Sequence, residues 1–337
     1  MKKKLLLLFS LILLAGCSTN LEKNSESFLS FDTYIEFTAY TKNKEEFAEY
    51  YKQTKEEFEK YHQLFDAYNN YPKLNNVKTI NDNAGKKAIV VDKELYQLIS
   101  DAKGYYKKTM QRNNIALAPV ILEYKAIIEA YENNLDVKNP SDKVLNKLNK
   151  CTSIDNIVLN EADSSIYLKK ACAKIDVGSI AKGYAADTIA NKLKESGLTS
   201  GIVNAGGNVV LIGAKNDGDF SIGIADPNNP SNYRMTYAGQ NINIVTSGDY
   251  QRYYIIDGTK YNHIIDPITL KPAMKNKSVT IIADNGFKAE YFSTECFILE
   301  EAEIKKLADK YNFQYIIIDK EDKVIVSEGI KDAVEIK

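Results

Sequence analysis

Helical and strand-like patterns are interspersed along this chain, and that order limits the folds open to it. Residues 43–66 carry aromatic and apolar side chains at spacings of three and four, the repeat of an amphipathic helix. Further helices are predicted from Asp92 onward, over 180–196 and over 300–311. Short β-rich runs lie before, between and after the helices, at 31–40, 242–245, 253–256, 261–265, 278–283, 315–319 and 324–326.

Hairpin signals accompany these strands. Asp257-Gly258 separates two of the β-rich runs and is typical of a hairpin turn. Mixed helices and hairpins favour an α+β fold over a doubly wound parallel sheet. The sequence therefore predicts mixed or antiparallel sheets with helices packed against them.

Residues 1–16 predict an export signal. Basic residues at 2–4 precede a short apolar run at 5–15, which is too short to span a bilayer comfortably. Leu14-Ala15-Gly16-Cys17 resembles a lipobox, which implies cleavage before Cys17 and lipid attachment to its sulfur. The lipid would anchor the protein at the outer face of the cell membrane. A cleaved signal with an incidental cysteine and an uncleaved anchor are the alternatives.

The mature chain has the composition of a soluble globular protein. Residues 17–29 are polar and are predicted to tether the lipid to a domain at 30–337. Hydrophobic residues make up 44% of the chain and charged residues 26%, and the formal net charge is -1. This near-neutral balance gives no support for nucleic-acid binding, which usually needs a basic face.

Cysteines beyond Cys17 are few. Cys151, Cys172 and Cys296 are too few for a disulfide framework and lack metal-ligand spacing. At most one disulfide could form among them, and none is predicted.

A candidate phosphate site is the segment Asp176-Val-Gly178-Ser179-Ile-Ala-Lys182-Gly183, where a strand-like run meets a predicted helix. The first N–H groups of a helix favour phosphate. Gly178 allows close backbone approach, and Lys182 adds a mobile cation. The glycine pair in 204–208 could bring a second backbone surface to the ligand. Taken singly, each segment is more typical of a structural turn.

Two further segments offer catalytic groups. In Thr246-Ser-Gly-Asp-Tyr-Gln-Arg252, Arg252 could bridge phosphate oxygens bidentately; a hairpin with a surface arginine is the alternative. His263 precedes Ile-Ile-Asp-Pro near the end of a strand, where a neutral imidazole could accept a proton from an attacking hydroxyl. His62, on the first predicted helix, is interpreted as structural.

Glu290 and Thr294 form a candidate metal site. They are four residues apart, so a helix over 288–298 would place them on one face. A carboxylate and a hydroxyl suit Mg²⁺, which keeps waters and also binds substrate phosphates. The alternative is a half-exposed helix with a solvated glutamate.

In this order the segments resemble the active site of the ApbE family, the FAD:protein FMN transferases. The family pattern Asp-x-Gly/Ser-x-Ile-Ala-Lys-Gly-Tyr-Ala-x-Asp is similar to residues 176–187, and Thr-Ser-Gly-x-Tyr-x-Arg and His-Ile-Ile-Asp-Pro follow it. Residues 289–294 resemble the family's Ala-Asp-x-x-x-Thr. Phe31-Asp32-Thr33 resembles its Met-Gly-Thr start, and 114–119 resembles its Phe-Asp-x-Thr-x-Gly-Pro segment.

The resemblance implies a single ApbE-like (T-fold-like) domain and a Mg²⁺-dependent flavin transferase with FAD as substrate. A Ser or Thr hydroxyl of an acceptor protein attacks the flavin-side phosphorus of FAD. AMP leaves, and FMN stays attached through a phosphoester. Family acceptors carry a motif of the type Asp-Gly-x-Ser/Thr-Gly-Ala-Ser/Thr. This chain lacks that motif, so it is expected to modify an exported flavoprotein rather than itself.

Site residues follow from motif position. The expected catalytic residues are Asp176, Arg252 and His263. The expected metal ligands are the main-chain carbonyl of Ser179 with Glu290 and Thr294. The expected cofactor-binding residues are Phe31, Thr33, Tyr68, Asn114, Ile115, Ala116, Asp176, Lys182, Ser247, Gly248, Arg252, His263 and Ile264.

Three positions depart from the family pattern. Glu290 stands where the family usually has Asp, and Leu270 replaces Gly in Asp-Pro-x-Thr-Gly. Ala116 and Ala118 replace the family's Thr and Gly.

Two other functions fit the same residues. With water as the acceptor, the site would be an FAD pyrophosphatase that releases FMN and AMP. With an inactive metal site at Glu290, the chain would be a non-catalytic, lipid-anchored flavin-binding protein.

Overall fold

The computed structural model describes residues 21–215 and 218–337 of the chain. The predicted export signal and the lipidation site at Cys17 lie outside these residues. Within the described residues, no helix combines the length and the apolar character that crossing a bilayer requires.

The strands are numbered in chain order. They are β1 Glu22–Ser30, β2 Thr33–Thr41, β3 Ile89–Val90, β4 Ile157–Asn160, β5 Ser165–Leu168, β6 Gly201–Ala205, β7 Asn208–Ile212, β8 Phe220–Asp226, β9 Asn229–Gly239, β10 Asn243–Gly248, β11 Tyr253–Ile256, β12 Thr259–Asn262, β13 Ile265–Asp266, β14 Lys271–Pro272, β15 Asn276–Ala283, β16 Gln314–Asp319, β17 Val324–Val326 and β18 Val334–Ile336.

The helices include all those that the sequence predicts. They are α1 Lys44–Phe65, α2 Val77–Asp82, α3 Lys93–Lys108, α4 Ala118–Glu132, α5 Asp142–Asn149, α6 Ala181–Glu195, α7 Gly286–Phe297 and α8 Glu301–Tyr311. Capping fixes several starts. The Asn43 side chain accepts the Glu46 N–H at 2.9 Å, which satisfies an otherwise free donor of the first turn of α1.

One large antiparallel sheet organises the molecule. Its strand order is β1-β2-β6-β7-β10-β15-β16-β17. Side chains alternate between its faces, so Val210 and Val245 enter the main core while Val209 and Ile244 enter a second one. The expected α+β fold is confirmed.

Different layers cover the two faces of this sheet. Helices α1, α6 and α7 pack on one face and enclose the main core. A three-stranded sheet of order β18-β9-β8 packs on the other face and encloses the second core. A third apolar cluster joins α4 and α5 to the β11–β12 and β13–β14 hairpins, beside the main sheet.

The predicted tether at 17–29 is wrong from Glu22 onward. Residues Glu22–Ser30 form the edge strand β1, which pairs with β2 along its whole length. Most of its side chains are exposed, so the polar composition that indicated a linker belongs to an edge strand. A tight turn at Phe31 and Asp32, with φ of 52° and 55°, joins the two strands.

The expectation of no disulfide is also wrong. Cys151 and Cys172 are bonded, with their Cα atoms 5.6 Å apart. Cys151 precedes the β4–β5 hairpin and Cys172 follows it, so antiparallel pairing brings the two thiols together across 21 residues. Spacing along the chain alone does not show this proximity. Cys296 is a free, buried thiol.

The strand predicted at 261–265 is interrupted. β12 ends at Asn262 and β13 begins at Ile265, so His263 and Ile264 lie in the break. The Asn262 side chain accepts the Ile264 N–H at 2.9 Å and donates to the Ala273 carbonyl at 2.6 Å. These bonds replace strand pairing and turn the chain toward the cavity described next.

Candidate functional site

A large cavity of about 870 Å³ opens beside the C-terminal half of β10. One side, which we call the helical wall, comprises residues 176–183 and α7. A second part of the lining, which we call the hairpin wall, comprises residues 247–266 and meets α7 through the Ser247–Ser293 bond at 2.9 Å. The turn at residues 31–33 and helix α4 line the rest. Predicted site residues from both halves of the chain line it: Phe31, Thr33, Tyr68, Asn114, Asp176, Ser179, Lys182, Ser247, Arg252, His263, Ile264, Glu290 and Thr294.

Three predicted cofactor-binding residues do not line the cavity. Ile115 and Ala116 are each 1% exposed and belong to the main core. Gly248 ends β10, where an added Cβ would lie 2.4 Å from the Tyr250 ring. Their motifs are correctly located, but these residues support the wall from behind.

The Asp176 loop is fixed from several directions. The Asn81 side chain pairs with both the N–H and the carbonyl of Ile175, at 2.8 and 2.9 Å. The Asp176 N–H donates to the Ile115 carbonyl at 2.9 Å. The Tyr68 hydroxyl donates to Asp176 Oδ2 at 2.9 Å, and partial burial together with that carboxylate raises the pKa of Tyr68. Contacts within the protein therefore hold the loop from three sides.

Glu290 is the most strongly bonded group of the helical wall. Its side chain is 5% exposed. Oε1 accepts Lys182 Nζ and Asn208 Nδ2, both at 2.9 Å, and Oε2 accepts the Gly183 N–H at 2.6 Å. Gly183 permits this contact, because an added Cβ there would lie 2.7 Å from the Glu290 Cβ. The carboxylate thus joins α7 to the start of α6.

These contacts change the expected role of the α6 N-terminus. The Gly183 N–H is taken by Glu290, and the Gly178 N–H donates to Asp176 Oδ1 at 2.7 Å. The N–H groups of Ile180 and Ala181 both donate to the Val177 carbonyl at 2.9 Å. Few main-chain donors remain for phosphate, so anion binding at this wall depends mainly on the Lys182 side chain. The segment preceding the turn is irregular chain rather than the strand that the sequence suggested.

The oxygen donors proposed for a metal lie on the helical wall. Glu290 and Thr294 share one face of α7 and both line the cavity, as does Ser179. A carboxylate, a hydroxyl and a main-chain carbonyl form the hard donor set that suits Mg²⁺. Across 21–215 and 218–337, no group of three or more His, Cys, Asp or Glu side chains could hold a metal ion. In donor type the residues fit a Mg²⁺ ion that takes its other ligands from water and phosphate, but both Glu290 oxygens accept protein donors in this structure.

The hairpin wall carries Arg252 and His263. Arg252 is exposed, and its main-chain carbonyl accepts both the N–H of His263 at 3.1 Å and a bond from His263 Nδ1 at 3.2 Å. Because a carbonyl only accepts, Nδ1 carries the proton and Nε2 is left as an acceptor. The imidazole is therefore oriented by backbone rather than by a carboxylate.

His263 is neutral at physiological pH. Burial, followed by the positive charge of Arg252, lowers its pKa to about 4, and Lys182 adds to this effect. A neutral imidazole with a free Nε2 can take a proton from a hydroxyl. Two cations within reach of a neutral base form a site suited to an anionic substrate.

Three cavity residues were missed by the sequence reasoning. Arg112 donates from Nη1 to Asp266 at 2.9 Å, and among the described residues its buried Nε has no hydrogen-bond partner. Asn208 supports Glu290, although only its glycine-rich segment was noticed. Lys125 lies 3.4 Å from the centre of the Tyr68 ring, a cation–π contact. Arg112 could have been noticed because it lies two residues before the recognised segment at 114–119. Lys125 has no such position in the sequence and could not have been predicted from it.

Known proteins resemble this chain along most of its length. The family model that matches it is that of the ApbE family, over residues 31–317. The FAD:protein FMN transferase of Treponema pallidum is 30% identical over 276 residues, covering 76% of this chain and 74% of that protein. A Klebsiella pneumoniae protein of the same name is 28% identical over 257 residues, covering 74% and 77%.

The fold agrees with these matches. The crystal structure of the ApbE protein from Thermotoga maritima superposes with a TM-score of 0.82 at 25% identity, covering 93% of this chain and 99% of that one. The motifs that carried the resemblance line one cavity, and the family match spans both walls. The chain belongs to the ApbE family.

Proposed function

We propose that this cavity binds FAD and transfers its FMN part to a Ser or Thr hydroxyl of another exported protein, with release of AMP. The observation that carries the proposal is the position of a neutral His263 in one cavity with the Lys182–Glu290 pair. The names of the relatives support the same activity.

The two walls divide the work of binding. The Lys182 side chain is 26% exposed, so its ammonium can reach phosphate oxygens while it rests on Glu290. Arg252 offers a second cation from the hairpin wall, and the Arg112 Nε is a further donor. Tyr68 and Phe31 supply aromatic surface for the flavin or adenine rings.

The transfer step forms one bond to phosphorus and breaks another. The acceptor hydroxyl oxygen forms a bond to the flavin-side phosphorus, and the bond from that phosphorus to the bridging oxygen of the pyrophosphate breaks. AMP leaves with the bridging oxygen and its electron pair. His263 Nε2 takes the hydroxyl proton, and Lys182 and Arg252 stabilise the charge that develops on the phosphate oxygens.

Mg²⁺ is part of the proposal. Glu290, Thr294 and the Ser179 carbonyl would hold it, and when bound it neutralises pyrophosphate charge. Lys182 already neutralises Glu290, so this chain's metal site and its phosphate-binding lysine share one carboxylate.

Mass spectrometry tests the activity. Purified protein is mixed with FAD, Mg²⁺ and an acceptor domain that carries a family-type Thr motif. The expected result is an acceptor that gains one FMN, with AMP released and transfer abolished by EDTA. Free FMN and AMP with unmodified acceptor would instead establish a pyrophosphatase. Intact FAD with both Mg²⁺ and Mn²⁺ would leave a flavin-binding protein.

We propose further that the mature chain begins at a lipid-modified Cys17 on the outer face of the cell membrane. The lipobox-like segment supports this, and so does the Cys151–Cys172 disulfide, because such bonds persist in oxidising compartments. Cys17→Ser should release the protein from the membrane fraction. A variant that remained there after high-salt washing would contradict lipid anchoring.

A further inference from the structure

Strand β8 has one unpaired edge. The sheet that contains it has the order β18-β9-β8, and β8 pairs in register with β9 on one side. Within the described part of the chain, no strand pairs with its other side. Its length of 7 residues corresponds to roughly 23 Å of extended chain. An edge of this kind presents main-chain donors and acceptors that another extended segment can use.

A groove of about 300 Å³ runs along this free edge. Five successive β8 residues, 221–225, form one side of it. The outer face of the large sheet forms the floor, through Glu36, Thr38, Ile202, Asn204, Val209 and Ile244. The side chains of Ile222 and Ile224 turn toward the large sheet, whereas Ser221 and Gly223 occupy the exposed positions that alternate with them.

The groove and the flavin cavity share two lining residues. Thr246 and Gln251 belong to both spaces. Gly207 lies at the same junction, where an added Cβ would stand 3.9 Å from Gln251 Nε2. An extended segment in the groove would therefore pass over this junction and reach the hairpin wall that carries His263.

We propose that the acceptor protein docks by adding an extended segment to the free edge of β8, and that this segment leads its hydroxyl residue over Thr246 and Gln251 into the cavity. The inference rests on the proposed transferase function. Main-chain bonds to β8 would supply affinity, and the groove would select side chains, as in other complexes formed by strand addition.

The groove also limits the chemistry of the segment. Glu36 is the only carboxylate or basic side chain among its lining residues, so a basic residue opposite it is favoured. A flexible, exposed segment of the acceptor fits these conditions better than a helix, which could not pair with a strand edge.

The test compares two tryptophan substitutions. Ile202→Trp enlarges a half-buried side chain on the groove floor, whereas Ala238→Trp places a tryptophan at an exposed position of β9, outside the groove. We expect the KM for the acceptor domain to rise at least tenfold in Ile202→Trp only. The FAD affinity and kcat should stay within twofold of the parent protein in both variants. Equal KM values in the two variants would overturn the proposal.

A second pair of variants probes the opposite side of the groove. Glu36→Lys reverses the charge of its floor, and Glu26→Lys makes the same change on exposed β1. Weaker binding of a fluorescently labelled acceptor domain only in Glu36→Lys supports the groove, and unchanged binding in both contradicts it. Because this titration needs no turnover, it decides the docking site even if transfer fails. A β8-dependent dimer of this chain that excludes the acceptor would also overturn the proposal.

Discussion

The two walls of the cavity are built in different ways. The helical wall is held by side-chain bonds that cross between elements, with Glu290 joined to Lys182, Gly183 and Asn208. On the hairpin wall, the N–H and the ring of His263 both bond to the main-chain carbonyl of Arg252, and the Arg252 side chain is exposed. Side-chain bonds hold other parts of that wall, at Ser247–Ser293, Asp249–Lys260 and Asp266–Arg112. Binding chemistry therefore lies on a preassembled surface, and the proton acceptor lies on an adjustable one.

This difference suits a transfer between two substrates. FAD needs a fixed pyrophosphate site, because phosphoryl transfer depends on positioning and electrostatics. An acceptor protein arrives later and differs in shape from FAD, so the group that meets its hydroxyl benefits from mobility. Changes at Glu290 should thus lower both stability and activity, whereas changes at Arg252 and His263 should lower mainly activity.

The largest expected effect is on the hairpin wall. His263→Ala should lower the transfer rate about 10²- to 10⁴-fold, the usual contribution of a general base. The free energy of unfolding should fall by only about 1 kcal/mol, because the half-buried ring bonds only to a backbone carbonyl. Quenched-flow detection of AMP and urea unfolding measure the two quantities.

The pH profile of the parent protein gives the matched check. The pKa of His263 is lowered from 6.5, the usual value for histidine, to about 4, so the ring stays neutral until the pH falls to about 4. The acid limb of kcat/KM should accordingly lie near pH 4 and be absent from His263→Ala. A limb near pH 6.5 in the parent protein would contradict the assigned environment of the ring.

Glu290→Ala should lower both the stability of the protein and its transfer activity. It removes the acceptor for three donors and leaves Lys182 without its partner, so we expect a loss of about 3 kcal/mol in the free energy of unfolding. Transfer should also fall below detection. Glu56→Ala, which breaks only an exposed 3.9 Å contact with Lys52, is the control and should cost less than about 0.5 kcal/mol. Equal stability of the two variants would contradict the description of the helical wall.

The disulfide supports the helical wall from outside the cavity. Cys172 precedes the Asp176 loop by four residues and ties it to the segment that follows α5. Replacing Cys151 and Cys172 by Ser should lower the free energy of unfolding by about 3 kcal/mol, since it frees a loop of 21 residues. A reducing agent should bring the parent protein to the same value in urea unfolding and leave the double variant unchanged.

The smallest predicted effect concerns Leu270, beyond the hairpin wall. Its φ is 60°, in the region that favours glycine, yet its side chain is 4% exposed and packs among Tyr124, Tyr254 and Ile265. Leu270→Ala removes the packing of the side chain and keeps the backbone strain at the positive φ. Leu270→Gly removes the same packing but relieves the backbone strain. The Gly variant should therefore be more stable than the Ala variant by about 1 kcal/mol. The reverse order in thermal unfolding would mean that the backbone there is not strained.

The sequence predicted well where a pattern is local. The starts of α1, α3 and α8 follow from Asn43, Asp92 and Glu300, because a cap bonds to residues two or three positions ahead. Helix α4 was missed, since it carries apolar side chains on several sides and so lacks a clear amphipathic repeat. Strand β1 was mistaken for a tether because an exposed edge strand has the composition of a linker.

In the site, too, local sequence patterns predicted some features and contacts between distant segments decided others. Four residues that the motifs singled out, Asp176, Lys182, His263 and Glu290, line one cavity. The ion pair between Lys182 and Glu290 joins residues 108 positions apart, and no local spacing predicts it. Contacts between distant segments decide which donors remain free for substrate.

Hydrogen–deuterium exchange, with and without FAD and Mg²⁺, tests the difference between the walls most directly. We expect slow exchange of amides 178, 180, 181 and 183 in both states, because Asp176, Val177 and Glu290 already accept their hydrogen bonds. Amides 250–252, between β10 and β11, should exchange quickly in the free protein and become protected when FAD binds. Equal protection of the two segments before FAD is added, or no change at 250–252 afterwards, would contradict a preassembled helical wall beside an adjustable Arg252 segment.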